Sequence, residues 1–292
     1  MLQSRNYPPS PRLAPYIARH YVFNVEAPDQ FELIDQLLSE TAFVRLLLRG
    51  DWAAEVVKGI WSNVGKAVFF GPNRRPLKVR VRGGFRVVGI AFCPAGWRGL
   101  SNIPADAFAD RMVPLADMLG PRAESLLGEV SRVTDDSAQG DARIIAAIEK
   151  VVCDLLDARG WPKADEAMQR FERLARNNST AMVRDAAVQL GMSERQLERR
   201  CRPAFGLSPK AILRRSRFLD MAAAMRGLSS SDEREQAALR YYDQPQLIRE
   251  FRRFIAMTPG QFQKTPTPLL TAGLELRALR KAEDAARAAG ET

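Results

Sequence analysis

The sequence predicts an α+β chain with an antiparallel β-rich unit first and an all-helical unit second. Three observations carry that expectation. Up to about residue 100, short runs of β-branched and aromatic residues alternate with turn residues. From about residue 114 the apolar residues recur at helical spacing instead. The third is where the charge sits: the formal net charge is +10 over 292 residues, yet residues 1–160 balance 20 Lys/Arg with 18 Asp/Glu, while residues 170–265 carry 19 against 10. A chain of this length accommodates two cores, and the composition shift places them at 1–160 and 170–265, followed by a tail at 266–292 that reads as either a loosely held helix or disordered and has no function assigned.

The strands come first. FVRLLL (43–48), AVFFG (67–71), LKVRV (77–81) and FRVVGIAFC (85–93) are separated by Arg49-Gly50-Asp51, Gly71-Pro72-Asn73 and Gly83-Gly84. Short strands at this spacing suggest an antiparallel barrel or sandwich. In ARIIAAIEKVVCDLL, Ile144, Ile145, Ile148, Val151, Val152, Leu155 and Leu156 make one helical stripe. It either packs on its own domain or forms a seam with a second copy. Gly160-Trp161-Pro162-Lys163 ends that helix.

Several classes are disfavoured. The start, MLQSRNYPPSPRL, has no apolar signal-peptide core, and no apolar run approaches a membrane span, so a cytoplasmic chain without a membrane partner is expected. Cys93, Cys153 and Cys201 are far apart and odd in number, which suits small buried thiols rather than disulfides or zinc. With His20 as the single histidine, metal sites and Ser-His or Cys-His triads lack their usual ligands and base. No catalytic residue, cofactor or metal is expected. Trp52, Trp61 and Trp97 suit barrel packing better than a ligand floor, and Arg74, Arg75, Arg80 and Arg82 suit exposed strand positions.

The basic segment is a succession of helices and short turns. In TAMVRDAAVQLGMSERQLERRCRPAFGLSP, Val183, Ala186, Ala187 and Leu190 form one helix stripe, and Gly191-Met192 makes the turn. Ser193 caps the next helix with Gln196 at the capping-box position. Leu197, Cys201 and Phe205 face inward, leaving Arg195, Glu198, Arg199 and Arg202 outward. This is helix-turn-helix geometry, whose second helix enters a DNA major groove. Ser208-Pro209 starts a third helix, expected through Met225. In YYDQPQLIREFRRFIAMTPGQF, Asp243 caps a further helix with Gln246 in the capping box; Leu247, Ile248, Phe251, Phe254 and Ile255 fall on one face, and Gln246, Arg249 and Arg253 opposite.

These residues resemble the DNA-binding domain of the AraC (arabinose regulator) family of bacterial transcription regulators. The carrying motifs are AAVQLGMSERQLERR, FGLSP, RRSRFLDMAAAM and YYDQPQLIREFRRF…MTPGQF, across residues 176–264. The resemblance implies base reading by Arg195, Glu198 and Arg199, backed by Arg202, in one helix and by Gln244, Gln246, Arg249 and Arg253 in a second. Bidentate Arg–guanine and Gln–adenine pairs are the physical reason for those types. Two departures are visible: Arg240 and Ala256 stand where the family usually has glycine. GPNRRPLKVRVRGGFRVVGIAFCPAGW with IPADAFADRMVPLADMLG resembles a cupin-like sensory domain, implying a small barrel that takes up a signal. The implied partners are double-stranded DNA, RNA polymerase, a small-molecule or protein effector and a second copy, as in regulators that include activators. The competing class is a DNA-binding repair or sensor protein with an enzymatic or cysteine-reactive N-terminal domain; Cys93 lies in an apolar run without metal or base.

Overall fold

A computed structural model describes residues 2–229 and 244–290. Eight strands come first: β1 Gln3–Tyr7, β2 Ile17–Val25, β3 Glu32–Leu37, β4 Phe43–Val57, β5 Ile60–Asn63, β6 Ala67–Phe70, β7 Leu77–Phe92 and β8 Met112–Pro114. They form one antiparallel sheet in the order β1-β2-β7-β4-β6-β8, with β3 added to β7 and β5 to β4. The path ends on β1 and β8, which do not pair among the described residues, so the barrel is open.

Two expected turns are instead bends inside long strands. Arg49-Gly50-Asp51 lies within β4, and Gly83-Gly84 lies within β7. Gly50 has φ +97°, and a Cβ there would sit 2.6 Å from the Cβ of Phe85. Only glycine tolerates both that conformation and that approach. The β4–β7 register shifts at the bend, as at a bulge. Phe85–Phe92 of β7 therefore runs against β2, while Leu77–Arg82 runs against β3.

The first part of β4, Phe43–Leu47, is buried throughout, so both of its faces are covered. Val44 and Leu46 point to one side and join Val88, Ile90, Phe69 and Trp97. That side is covered by four helices: α1 Trp97–Leu100, α2 Leu115–Leu119, α3 Pro121–Ser131 and α4 Ala138–Asp157. Ile144, Ile148, Val152 and Leu156 of α4 are buried in this cluster, each burial worth about 1.5–3 kcal/mol. The stripe thus packs within its own unit. On the other side of β4, Phe43, Arg45 and Leu47 face the second half of the sheet and the C-terminal helices.

The C-terminal part is α5 Glu166–Asn177, α6 Val183–Gln189, α7 Glu194–Phe205, α8 Pro209–Met225, α9 Gln244–Ile255, α10 Pro259–Lys264 and α11 Pro268–Gly290. The tail that the sequence leaves without a role is α11, a 23-residue helix packed against β3, α5 and α8. Asp35 of β3 caps its start, Oδ2 accepting from the backbone N–H of Leu269 at 2.7 Å. Arg277 is buried, donating to Asp220 Oδ1 and Ser216 Oγ at 2.9 Å and pairing with Glu40. Arg215 of α8 is also buried, and donates to the carbonyls of Ser39 (3.1 Å), Asn73 (3.2 Å) and Glu40.

Candidate nucleic-acid interface

The first helix pair is built by local chemistry. Gly191 takes φ +68°, and the N–H of Met192 reaches back to Ala187 O at 3.0 Å, ending α6. Ser193 Oγ accepts from Gln196 N at 3.2 Å while Gln196 Oε1 accepts from Ser193 N at 2.7 Å, so the capping box is complete. Ala186 and Ala187 are fully buried, and their small side chains let α6 approach α7. Leu197, Cys201 and Phe205 anchor α7 on Met168 and Phe171 of α5. What remains outward is a cationic face on which Arg195, Arg199 and Arg202 are exposed.

Those side chains are not equivalent. Arg202 Nε donates to Glu198 Oε1 at 2.7 Å, an i, i+4 pair that engages one of its donors and offsets its charge. Arg200 is drawn the other way, onto Asp165, the residue that caps α5. Among the described residues no carboxylate lies within ion-pair distance of Arg195 or Arg199. These two offer their full donor sets to solvent.

The second helix, α9, buries Phe251, Phe254 and Ile255. Phe218 of α8 meets Phe251 edge-on at 5.0 Å and stacks on Phe254 at 4.9 Å. Gln246, Arg249, Arg252 and Arg253 are exposed, and positions 246, 249 and 253 share one helical face. Ala256, where the resemblance notes a missing glycine, has φ +56°, so an alanine holds a left-handed position that favours glycine. Thr258 and Gln261 then form a second complete capping box at the start of α10. The Asp243 cap, the Arg240 departure and the side chain of Gln244 lie outside the described residues.

One polar contact holding the second unit was not visible in the sequence. Glu250, on the buried flank of α9, takes both carboxylate oxygens to Arg214 of α8, with Nε at 2.8 and 3.0 Å. The signal was a lone acid beside Phe251 in a helix otherwise carrying arginine and glutamine. Arg217 of α8 donates to Ser179 O at 3.0 Å. With 17 residues, α8 is about 25 Å long and joins the two units.

Elsewhere, burial pushes the Cys93 thiol up to about 12 and raises those of Cys153 and Cys201, the opposite of what a nucleophilic cysteine requires. His20 is buried, bonds Glu149 Oε1 at 2.9 Å and has its pKa lowered by desolvation. Among the described residues no group of three or more His, Cys, Asp or Glu is placed to hold a metal ion. Nor is any helix there long and apolar enough to cross a membrane. Of the expected tryptophans, Trp52 and Trp97 are buried, whereas Trp61 is half-exposed beneath Arg80 and Lys78. Arg74 and Arg82 are paired on the surface with Asp110 and Glu32.

Residues 186–265 match a family model described as a helix-turn-helix domain, and residues 5–114 match one described as a domain of unknown function (DUF6597). No curated protein matches the chain. Among solved structures, unsaturated fatty acid-bound wild-type ToxT from Vibrio cholerae strain SCE256 is 12% identical, with 84% of this chain and 94% of that chain covered and a TM-score of 0.45. ToxT from Vibrio cholerae O395 is 12% identical, covering 90% and 97%, at 0.43. The AraC-like transcriptional activator CuxR is 15% identical, covering 75% and 94%, at 0.26. At these scores the likenesses carry nothing about ligand or DNA site. The matched segment contains α7, α8, α9 and α10, the elements that display the two cationic faces: the C-terminal part belongs to the helix-turn-helix domain family, and the chain is a DNA-binding transcription regulator.

Proposed function

We propose that the regulator reads a specific double-stranded DNA sequence with both α7 and α9, and that its N-terminal unit adjusts this activity by taking up an effector. In α7, Arg195 and Arg199 read base edges, while Arg202 and Glu198 act as a pair that sets the helix against the backbone. In α9, Gln246, Arg249 and Arg253 face the neighbouring groove, and Gln244, whose side chain lies outside the described residues, is assigned to the same reading set from the sequence resemblance alone. The observation that carries this is the α7 face, where two exposed arginines one turn apart stand on a capped helix with no carboxylate among the described residues to occupy them. RNA polymerase is the further partner we propose. A second copy, where present, needs a surface other than the α4 stripe, whose main residues are buried in their own unit.

The test is selection of DNA fragments from a random pool by the purified full chain, followed by binding at graded salt. A preferred sequence should emerge, and affinity should fall steeply between about 50 and 200 mM salt. The double variant R195A/R199A should select no sequence. Recovery of the same sequence by that variant would remove α7 as the reader.

A further inference from the structure

A cavity of about 150 Å³ lies between the inner face of the sheet, the Ser39–Thr41 turn, α8 and α11. That is the size of an apolar cavity that accepts a benzene-sized guest. Its walls are mostly apolar, including Tyr21, Phe43, Trp52, Leu219, Leu270 and Leu274.

Arg45 is the exception. It projects from β4, is 2% exposed, and is among the largest fully buried side chains of the protein. Its guanidinium lies 4.6 Å from the ring centre of Trp52 and 5.3 Å from that of Phe70. Nη2 donates to Gly65 O at 3.0 Å. Among the described residues Nε and Nη1 have no partner, and neither does Nε1 of Trp52. Among the described residues no carboxylate is within ion-pair distance of Arg45, and burial pulls its pKa down to about 10.

A buried cation without a counter-ion is a costly arrangement that folded proteins avoid. The other charged groups at the cavity do not supply one. Glu40 is taken by Arg277, and Arg280 by Glu172; Arg19 adds a further positive charge. Water can satisfy an orphan N–H, but it brings no negative charge.

We infer that this cavity binds a small monocarboxylic acid with an apolar, ring-sized body, its carboxylate pairing with the free donors of Arg45 beside the indole N–H of Trp52. The inference rests on the N-terminal unit being an effector-binding unit and adds the chemical class. It also gives a route for the signal. Leu269, Leu270 and Leu274 of α11 line the cavity, and the same helix carries Arg277 to Asp220 of α8.

The experiment is a calorimetric titration of the full chain with benzoate, phenylacetate, cyclohexanecarboxylate and octanoate, each beside its neutral amide. At least one acid should bind, and its amide should bind about 10- to 100-fold more weakly, the factor a charge-assisted hydrogen bond carries. Arg45→Met should lose that acid by a similar factor. Without ligand it should melt at a higher temperature than the wild type, because an unpaired buried charge is gone. Arg45→Lys should recover part of the binding. Leu270→Trp, which fills the cavity and leaves Arg45 in place, should abolish binding and keeps the test valid should the Arg45 variants fail to fold.

An acid and its amide binding equally would overturn the acid class while leaving an effector cavity. Binding by none of the eight compounds overturns the ring-sized guest altogether. A bound acid that leaves affinity for the selected DNA unchanged overturns the effector reading, yet keeps the ligand class.

Discussion

Replacing Glu250 by alanine should loosen the second recognition helix from α8 while leaving α7 in place. Glu250 is 4% exposed, and Arg214 Nε approaches its two oxygens at 2.8 and 3.0 Å. Deleting one partner of a fully buried ion pair costs about 3–5 kcal/mol, because the survivor stays desolvated. Here the survivor is Arg214, whose side chain is 39% exposed and rehydrates when the carboxylate leaves. The loss is therefore smaller, about 2 kcal/mol, close to one charge-assisted hydrogen bond plus a small cavity. Such a loss equals a factor of about 30 in the docking equilibrium of α9.

Two measurements read it. Urea denaturation of the full-length variant should show an earlier departure from the native baseline, and footprinting on the selected DNA should show protection weakened on the α9 side and retained on the α7 side. Glu250→Gln keeps the acceptor oxygen and should fall between wild type and alanine. An alanine variant with unchanged stability and an even footprint refutes the anchoring role. A footprint lost equally on both sides would mean that Glu250 supports the whole domain, and would sink the helix-specific argument.

Arg199→Ala should cost about 1–3 kcal/mol on the selected site and relax preference at one base position; a uniform loss across all sequences would make Arg199 a phosphate contact. Ala256→Gly should stabilise the protein by about 0.5–1 kcal/mol, since relief of a left-handed alanine, about 1–2 kcal/mol, exceeds the added unfolded-state entropy; equal or lower stability in urea refutes it. Asp35 is pushed up to about 6 by burial, so folding takes up a proton between about pH 4 and 6, and the stability linked to this group is greatest below that window and declines as pH rises through it. The stability difference between wild type and Asp35→Asn should therefore change by up to about 3 kcal/mol from pH 4 to 7; a flat difference refutes the assignment.

What the sequence made legible was what is local in the chain. The α6–α7 pair follows from Gly191, Ser193 and Gln196 within a few residues of one another, and each forms the bond its position predicts. The bends at Gly50 and Gly83 were not legible. A glycine in a turn and a glycine inside a bent strand look alike in sequence, and only the pairing of β4 with β7 separates them. Arg45 is the one charged residue of the apolar run FVRLLL, and nothing local in the sequence tells that α11 and the second half of the sheet cover its face. The tail is the clearest case. Its apolar residues Leu269, Leu270 and Leu274 are plain in the sequence, but the cap on its first turn, Asp35, lies 234 residues away.

The contact between the two units explains why a boundary near residue 265 cuts through a packed body. It combines apolar packing, with Leu269 against Trp52 and Phe85 and Leu38 against Phe218 and Leu274, with two buried arginines. Arg215 spends its donors on the carbonyls of Ser39, Glu40 and Asn73, while Arg277 joins Glu40 to Asp220 and Ser216. Burying such ions costs several kcal/mol each in desolvation, which their partners offset only when the geometry is complete. Parting the units returns those charges to water, so this ionic part of the contact is less costly to open than apolar packing of equal area. It is also sensitive to small displacements, because a shift of the Ser39–Thr41 turn or of α11 leaves a buried guanidinium partly unsatisfied. Both elements line the Arg45 cavity. Occupancy there and the seating of the α8 arginine are thus set by the same few side chains, and α8 is the helix on which both recognition helices are mounted.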